Sequence, residues 1–284
     1  MLVFIKELIL ATLYQMTSLF GGIVIFGLAI HVLSQLTFKA LERAFGRNGV
    51  YLVAWLGTPI HEASHALFCL IFFHKIIEIR FFRPDPVTGT LGYVQHTWNR
   101  KNPWQVLGNL FIGIGPVILG CMVLFAVFYV MISDSSQAWN IITTRVNEID
   151  RNYSIGNYFN VLALSLPVML KLIFTAANIT TFMFWVFLYL SICIASNIRL
   201  STADIKHIFS GMGCLVLPFL VINLLGLITG SGGNRFFPFT ASSLGIVYSL
   251  LILSLVLVLT GFVLIYFMST MYYKLKHGRF LKPF

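Results

Sequence analysis

The chain has 284 residues, of which 58% are hydrophobic and only 10% charged, with a mean hydropathy of +0.89. A soluble domain carries about 25% charged residues, so this composition excludes a soluble enzyme and predicts an integral membrane protein. The net charge is +10, but the basic residues lie in loops and at the C-terminus, which argues for orientation by the positive-inside rule and attraction to anionic headgroups rather than for nucleic acid as a partner.

At this length about six spans of roughly 20 residues fit, with no room for a large soluble domain. The expected fold is one all-α polytopic membrane domain over 1–284, with six transmembrane helices or seven. Cys69, Cys121, Cys193 and Cys214 all fall in apolar runs without CxxC spacing and are expected as buried free thiols.

The N-terminus lacks a basic leader and a small-residue cleavage site, so a retained first span is expected, over 8–37. A basic connector follows, Lys39 to Arg47, and then a second apolar segment, 50–74. Within it, Thr58-Pro59 reads as the cap and first turn of a helix restarting inside the membrane.

That helix carries His61-Glu62-Ala63-Ser64-His65. Histidines at i and i+4 share one helix face, with Cβ atoms about 6 Å apart, so both rings reach one cation. A glutamate after the first histidine is placed to accept a proton from a water on that cation. Composition alone would produce on the order of 0.003 such matches in this chain. Three ionisable groups in an apolar segment are costly unless they have a function. The bland alternative is a buried histidine pair bonded to the backbone.

Ile76 to Arg83 is β-branched and aromatic, Asp85-Pro86-Val87-Thr88-Gly89 is a turn signal, and Leu91 to Trp98 reads as a returning strand. A β-hairpin over 75–102 is expected, either purely structural or offering an edge to an extended peptide. A third span follows, 103–132, in which Gly113-Ile114-Gly115-Pro116 permits close helix packing and a kink. Asn109 in this span is a substrate-binding candidate, with helix–helix bonding as the plainer use.

Residues 133–158 read as a solvent loop. The apolar stretch 159–196 is read either as an interfacial helix and one span or as two short spans. Segments 205–229 and 240–268 complete the set, and the basic tail from Lys274 to Lys282 is expected in the cytoplasm, in a bacterial plasma membrane.

A catalytic zinc has three protein ligands and one open position. After Asp150 the chain holds a single acid, Asp204, at the start of the helix over 197–229. There it is read as the third ligand or as the acid of a capping box with Ser201. His207 is the fallback ligand, with His74 and His96 as further candidates; His31 and His277 are expected to be uninvolved. Asn197 is a second substrate-binding candidate, and a polar cleft is expected near Ser64, Asn109 and Asn197.

An HExxH in a membrane span, a hairpin after it, a Gly-Pro span and a later aspartate on another helix together resemble the site-2 protease family of intramembrane zinc metalloproteases. The resemblance covers roughly 57–120 and 195–212. It implies Zn2+ held by His61, His65 and Asp204, with Glu62 as general base in hydrolysis of membrane-associated proteins or peptides. The chain departs from the family where Asp204 is followed by Ile205 rather than glycine, without a nearby preceding proline, which marks a divergent branch.

Other readings are a membrane metalloprotease of another family, or a scaffold or transporter with a structural metal. A prenyl-protein endopeptidase type needs a glutamate as third ligand, and no Glu follows Glu148. A di-iron oxidase needs several histidine boxes, and the chain has one clustered pair.

Overall fold

The structure, a computed structural model, describes residues 2–149, 155–229 and 237–281. A long helix, α1 (Leu2–Ile71), leads into a hairpin of β1 (Lys75–Arg80) and β2 (Tyr93–Thr97). Then come α2 (Pro103–Met131), α3 (Ser135–Ile149), α4 (Ile155–Ile173), α5 (Ala176–Ile179), α6 (Phe182–Ala195), α7 (Thr202–Ile228) and α8 (Phe237–His277). Among the described residues four helical stretches are long and apolar enough to cross a membrane: Ile23–Ile71, Pro103–Met131, Thr202–Ile228 and Gly245–His277. Ala163–Ile173 and Phe182–Ala195 are apolar but shorter. The chain is a predominantly helical membrane protein, with one small antiparallel sheet among the described residues.

The interruption in α1 falls at Gly46, at φ 67° and ψ −162°, a combination essentially confined to glycine. Ala40, Leu41 and Val53 share one apolar cluster across it. A straight helix would hold residues 41 and 53 about 18 Å apart, so the chain bends at Gly46. The basic connector is therefore helical up to the bend, and Arg47 Nη1 donates to the Pro86 carbonyl at 2.5 Å, tying bend to hairpin turn.

The helix restart expected at Pro59 does not occur. Pro59 lies inside α1, and the Thr58 hydroxyl, instead of capping, donates to Asn197 Oδ1 at 3.1 Å. A proline removes one N–H from the helical ladder, a loss that a surrounding bundle can compensate.

The main core draws Phe26, Leu110, Phe128, Phe187, Ile208 and Tyr248 from five helices. α2 runs through its middle, with every residue from Gly113 to Val117 buried. The loop expected over 133–158 is in large part α3, whose Ala138, Ile142 and Val146 are buried. Their spacing of four makes one helical stripe, hidden in the sequence because the residues between them are mostly polar. Three of the cysteines are buried, while Cys214 is partly exposed. Of the basic tail, Lys274 and Lys276 lie in the last turn of α8, and Lys282 lies outside the described residues.

The strands are shorter than expected, pairing Lys75 with Thr97 and Arg80 with Tyr93 around an irregularity between Ile76 and Glu78. Asp85 closes the turn, accepting from the Val87 N–H at 2.8 Å and the Thr88 hydroxyl at 2.7 Å.

Gly46→Ala places a Cβ on backbone that disfavours it, so the folded state should lose about 1–3 kcal/mol. Thermal unfolding of the detergent-solubilised protein measures this; an unchanged midpoint would refute the bend.

Candidate metal centre

The arm of α1 after Gly46 presents His61 and His65 from one face. Their Nε2 atoms are 3.2 Å apart and the rings stand edge-on, at 76°. Each ring is held from behind by a carbonyl of a different segment: His61 Nδ1 lies 3.0 Å from the Asn197 oxygen, His65 Nδ1 2.9 Å from that of Ile112 in α2.

Asp204 arrives at the third position of α7 in a capping box. The Ser201 hydroxyl accepts from the Asp204 N–H at 3.1 Å, and Asp204 Oδ2 accepts from the Ser201 N–H at 2.5 Å. The same carboxylate faces the histidines, with Oδ1 3.2 Å from His65 Nε2 and Oδ2 3.9 Å from His61 Nε2. The capping and ligand readings of Asp204 are thus geometrically compatible, and the cap fixes which way the carboxylate points. One ligand atom from each of His61, His65 and Asp204 lies within 4.8 Å of the others.

The donor set fits a zinc-type cation. A carbonyl can only accept, so in the neutral rings both Nδ1 atoms carry the protons and both Nε2 atoms present lone pairs. Two lone pairs 3.2 Å apart beside a carboxylate repel one another unless a cation lies among them. Imidazole and carboxylate are ordinary zinc ligands, and the carbonyls behind the rings are the outer partners that such ligands require.

Close packing brings α7 to this point. A Cβ at Gly113 would lie 2.6 Å from the Asp204 carbonyl oxygen and 2.7 Å from Ile208 Cγ1. Only a residue without a side chain lets α2 carry the start of α7 so near the motif.

The centre opens into a cavity of about 500 Å³, walled by the motif helix, the hairpin from Thr88 to Val94 and the segment from Asn197 to Ile205. Glu62 lines it and is 7% exposed. Arg199, which the sequence reading did not single out, lines it too; its guanidinium stacks over Phe38 at 4.9 Å. Burial lowers the Arg199 pKa, while the Glu62 and Asp204 carboxylates pull it back up. An arginine flanked by Ile198 and Leu200 between two apolar segments, five positions before Asp204, was the available signal.

Other candidates fall elsewhere. Asn197 lines the cavity, but its amide is engaged, accepting from Thr58 and donating to the Cys193 carbonyl at 2.9 Å. Asn109 is buried between helices, its amide donating to Ser210 Oγ of α7 at 3.3 Å, and Ser64 donates to the His61 carbonyl at 2.6 Å. Neither is part of the cavity lining, so the polar cleft lies by Asn197, Arg199 and the hairpin rather than by Asn109. His31 does line it, outside the converging group, and His277 packs on Tyr273.

His207 turns away toward His96, with ring centroids 5.1 Å apart. His74 is 5% exposed. Burial lowers the His74 pKa, partly offset by its bond to the Gln105 backbone. The His96 imidazole is pushed down to about 4, first by burial and then by His207 and His74.

Gly113→Val should drive α7 away from α2, costing about 1–3 kcal/mol through overpacking and lowering bound zinc at least tenfold in affinity. Metal titration of the refolded or detergent-purified variant reads this, and wild-type affinity would refute the packing account. Compared with protein-family models, curated proteins and solved structures, the chain matches none.

Proposed function

We propose that this protein is a membrane-embedded zinc metallopeptidase of the site-2 protease type, hydrolysing peptide bonds of membrane-associated substrates. The observation that carries the reading is the convergence of two imidazole Nε2 atoms and a carboxylate at one wall of a cavity that also holds a buried glutamate. In this reading His61, His65 and Asp204 hold zinc. The bend at Gly46 divides the first apolar stretch into two spans, which together with the shorter apolar helices brings the total to six or seven. The basic end of α8 faces the cytoplasm of a bacterium.

When bound, zinc lowers the pKa of its water to about 7 and polarises a carbonyl oxygen. Glu62 would be the proton carrier, accepting a proton from the attacking water and returning it to the departing amine nitrogen. Burial strengthens the electrostatic influence of Arg199 on the Glu62 and Asp204 carboxylates. The Asn197 and Ile112 carbonyls keep the two imidazoles oriented throughout.

A helical substrate hides its peptide bonds, so it must enter extended. Each strand of the two-stranded hairpin has an outer edge, and β2 adjoins the cavity wall at Tyr93 and Val94. Pairing of an extended peptide with that edge would present its backbone to the centre.

Glu62→Gln keeps the shape of the side chain but cannot accept a proton. Cleavage of single-span reporter peptides in proteoliposomes should fall at least 100-fold, with zinc content unchanged. Full activity in this variant would sink the mechanism. The double variant His61→Ala/His65→Ala should lose the activity together with the zinc of this centre.

A further inference from the structure

A second group of metal-type side chains lies one helical turn beyond the first. Cys69, His74 and His96 bring a sulfur and two ring nitrogens within 4.8 Å of one another. They come from the last turns of α1, the turn after it and β2. Cys69 is fully buried.

His74 Nε2 lies 2.7 Å from the Gln105 carbonyl oxygen. That oxygen only accepts, so in the neutral ring the proton sits on Nε2 and Nδ1 presents a lone pair. His74 Nδ1 is 3.1 Å from His96 Nδ1. Two nitrogens on a tetrahedral zinc, each about 2.0–2.1 Å from the metal, are roughly 3.3 Å apart.

The backing carbonyl is itself anchored. Gln105 Nε2 donates to the Phe73 carbonyl at 2.9 Å, and Gln105 Oε1 accepts from the Asn99 N–H at 2.6 Å. Trp98 stacks on His74, with centroids 5.9 Å apart and planes at 17°, and His207 closes the side by His96.

We propose that Cys69 Sγ, His74 Nδ1 and His96 Nδ1 form a second metal centre, selective for a thiolate-tolerant transition cation of the zinc class. One sulfur and two imidazoles suit zinc and disfavour magnesium or calcium. On binding, the Cys69 thiol gives its proton to the buffer and the sulfur bonds the metal as thiolate.

His65 and Cys69 are four residues apart on one helix, about 6 Å along its axis, whereas the metals of a shared two-metal catalytic site lie about 3.5–4 Å apart. The group also contains no carboxylate to move a proton. Its role is to clamp the base of the hairpin to the end of the motif helix. The inference does not depend on peptidase activity.

Zinc content and zinc-edge X-ray absorption of the full chain, zinc-loaded and desalted in detergent, test it. Wild type should hold two zinc ions, with an average of half a sulfur neighbour per zinc at about 2.3 Å. His61→Ala/His65→Ala should retain one zinc, with one full sulfur neighbour. Adding Cys69→Ala to that variant should remove the sulfur signal and cut zinc affinity at least tenfold. Wild-type zinc without any sulfur neighbour overturns the proposal, and this measurement needs no variant to fold. A sulfur signal that survives Cys69→Ala overturns it equally. One zinc per chain with a full sulfur neighbour would uphold this centre while refuting the first.

Discussion

The organisation of this protein rests on a requirement of low-dielectric surroundings: a buried polar atom must be satisfied by another part of the fold. At the motif the requirement is met by backbone. His61 and His65 sit on one helix, but the Asn197 and Ile112 carbonyls that orient them belong to the connection between α6 and α7 and to α2. Ser201 then holds the Asp204 carboxylate at the start of α7. Three segments are joined through the two hydrogen bonds behind the rings, α7 brings its carboxylate to the same point, and the apolar core packs around that junction.

This explains why one acid serves two ends. A capping box satisfies exposed amides at a helix start, and an aspartate so used is rotationally fixed. Asp204 keeps Oδ1 toward His65 while Oδ2 remains bonded to Ser201. Gly113 permits the approach, since any side chain there would meet the α7 backbone.

The same logic extends along the motif helix. Successive residues at intervals of four, His61, His65 and Cys69, point along one stripe. The first two meet the connection between α6 and α7, α2 and α7; the third meets the turn at His74 and the returning strand at His96. The hairpin is thus joined to the helix at its base through His74 and His96, and to the Gly46 bend through Arg47, which keeps its Thr88–Val94 segment beside the cavity.

The sequence by itself determined the membrane character, through apolar runs that no soluble fold would carry, and the hairpin, through β-branched runs around a turn signal. It also singled out His61, Glu62, His65 and Asp204, because ionisable groups are conspicuous where charge is scarce. Only the tertiary structure decided where α1 bends, since the local signal at Thr58-Pro59 was overridden by packing while Gly46 took the backbone angle that other residues resist. It alone decided that 135–149 is helical, because Ala138, Ile142 and Val146 form a stripe only when a neighbouring surface is there to bury it. And it decided that Asn109 serves helix packing, that Arg199 lines the cavity and that His74 and His96 meet Cys69. These are contacts between residues far apart in the chain, and neither spacing nor periodicity records them.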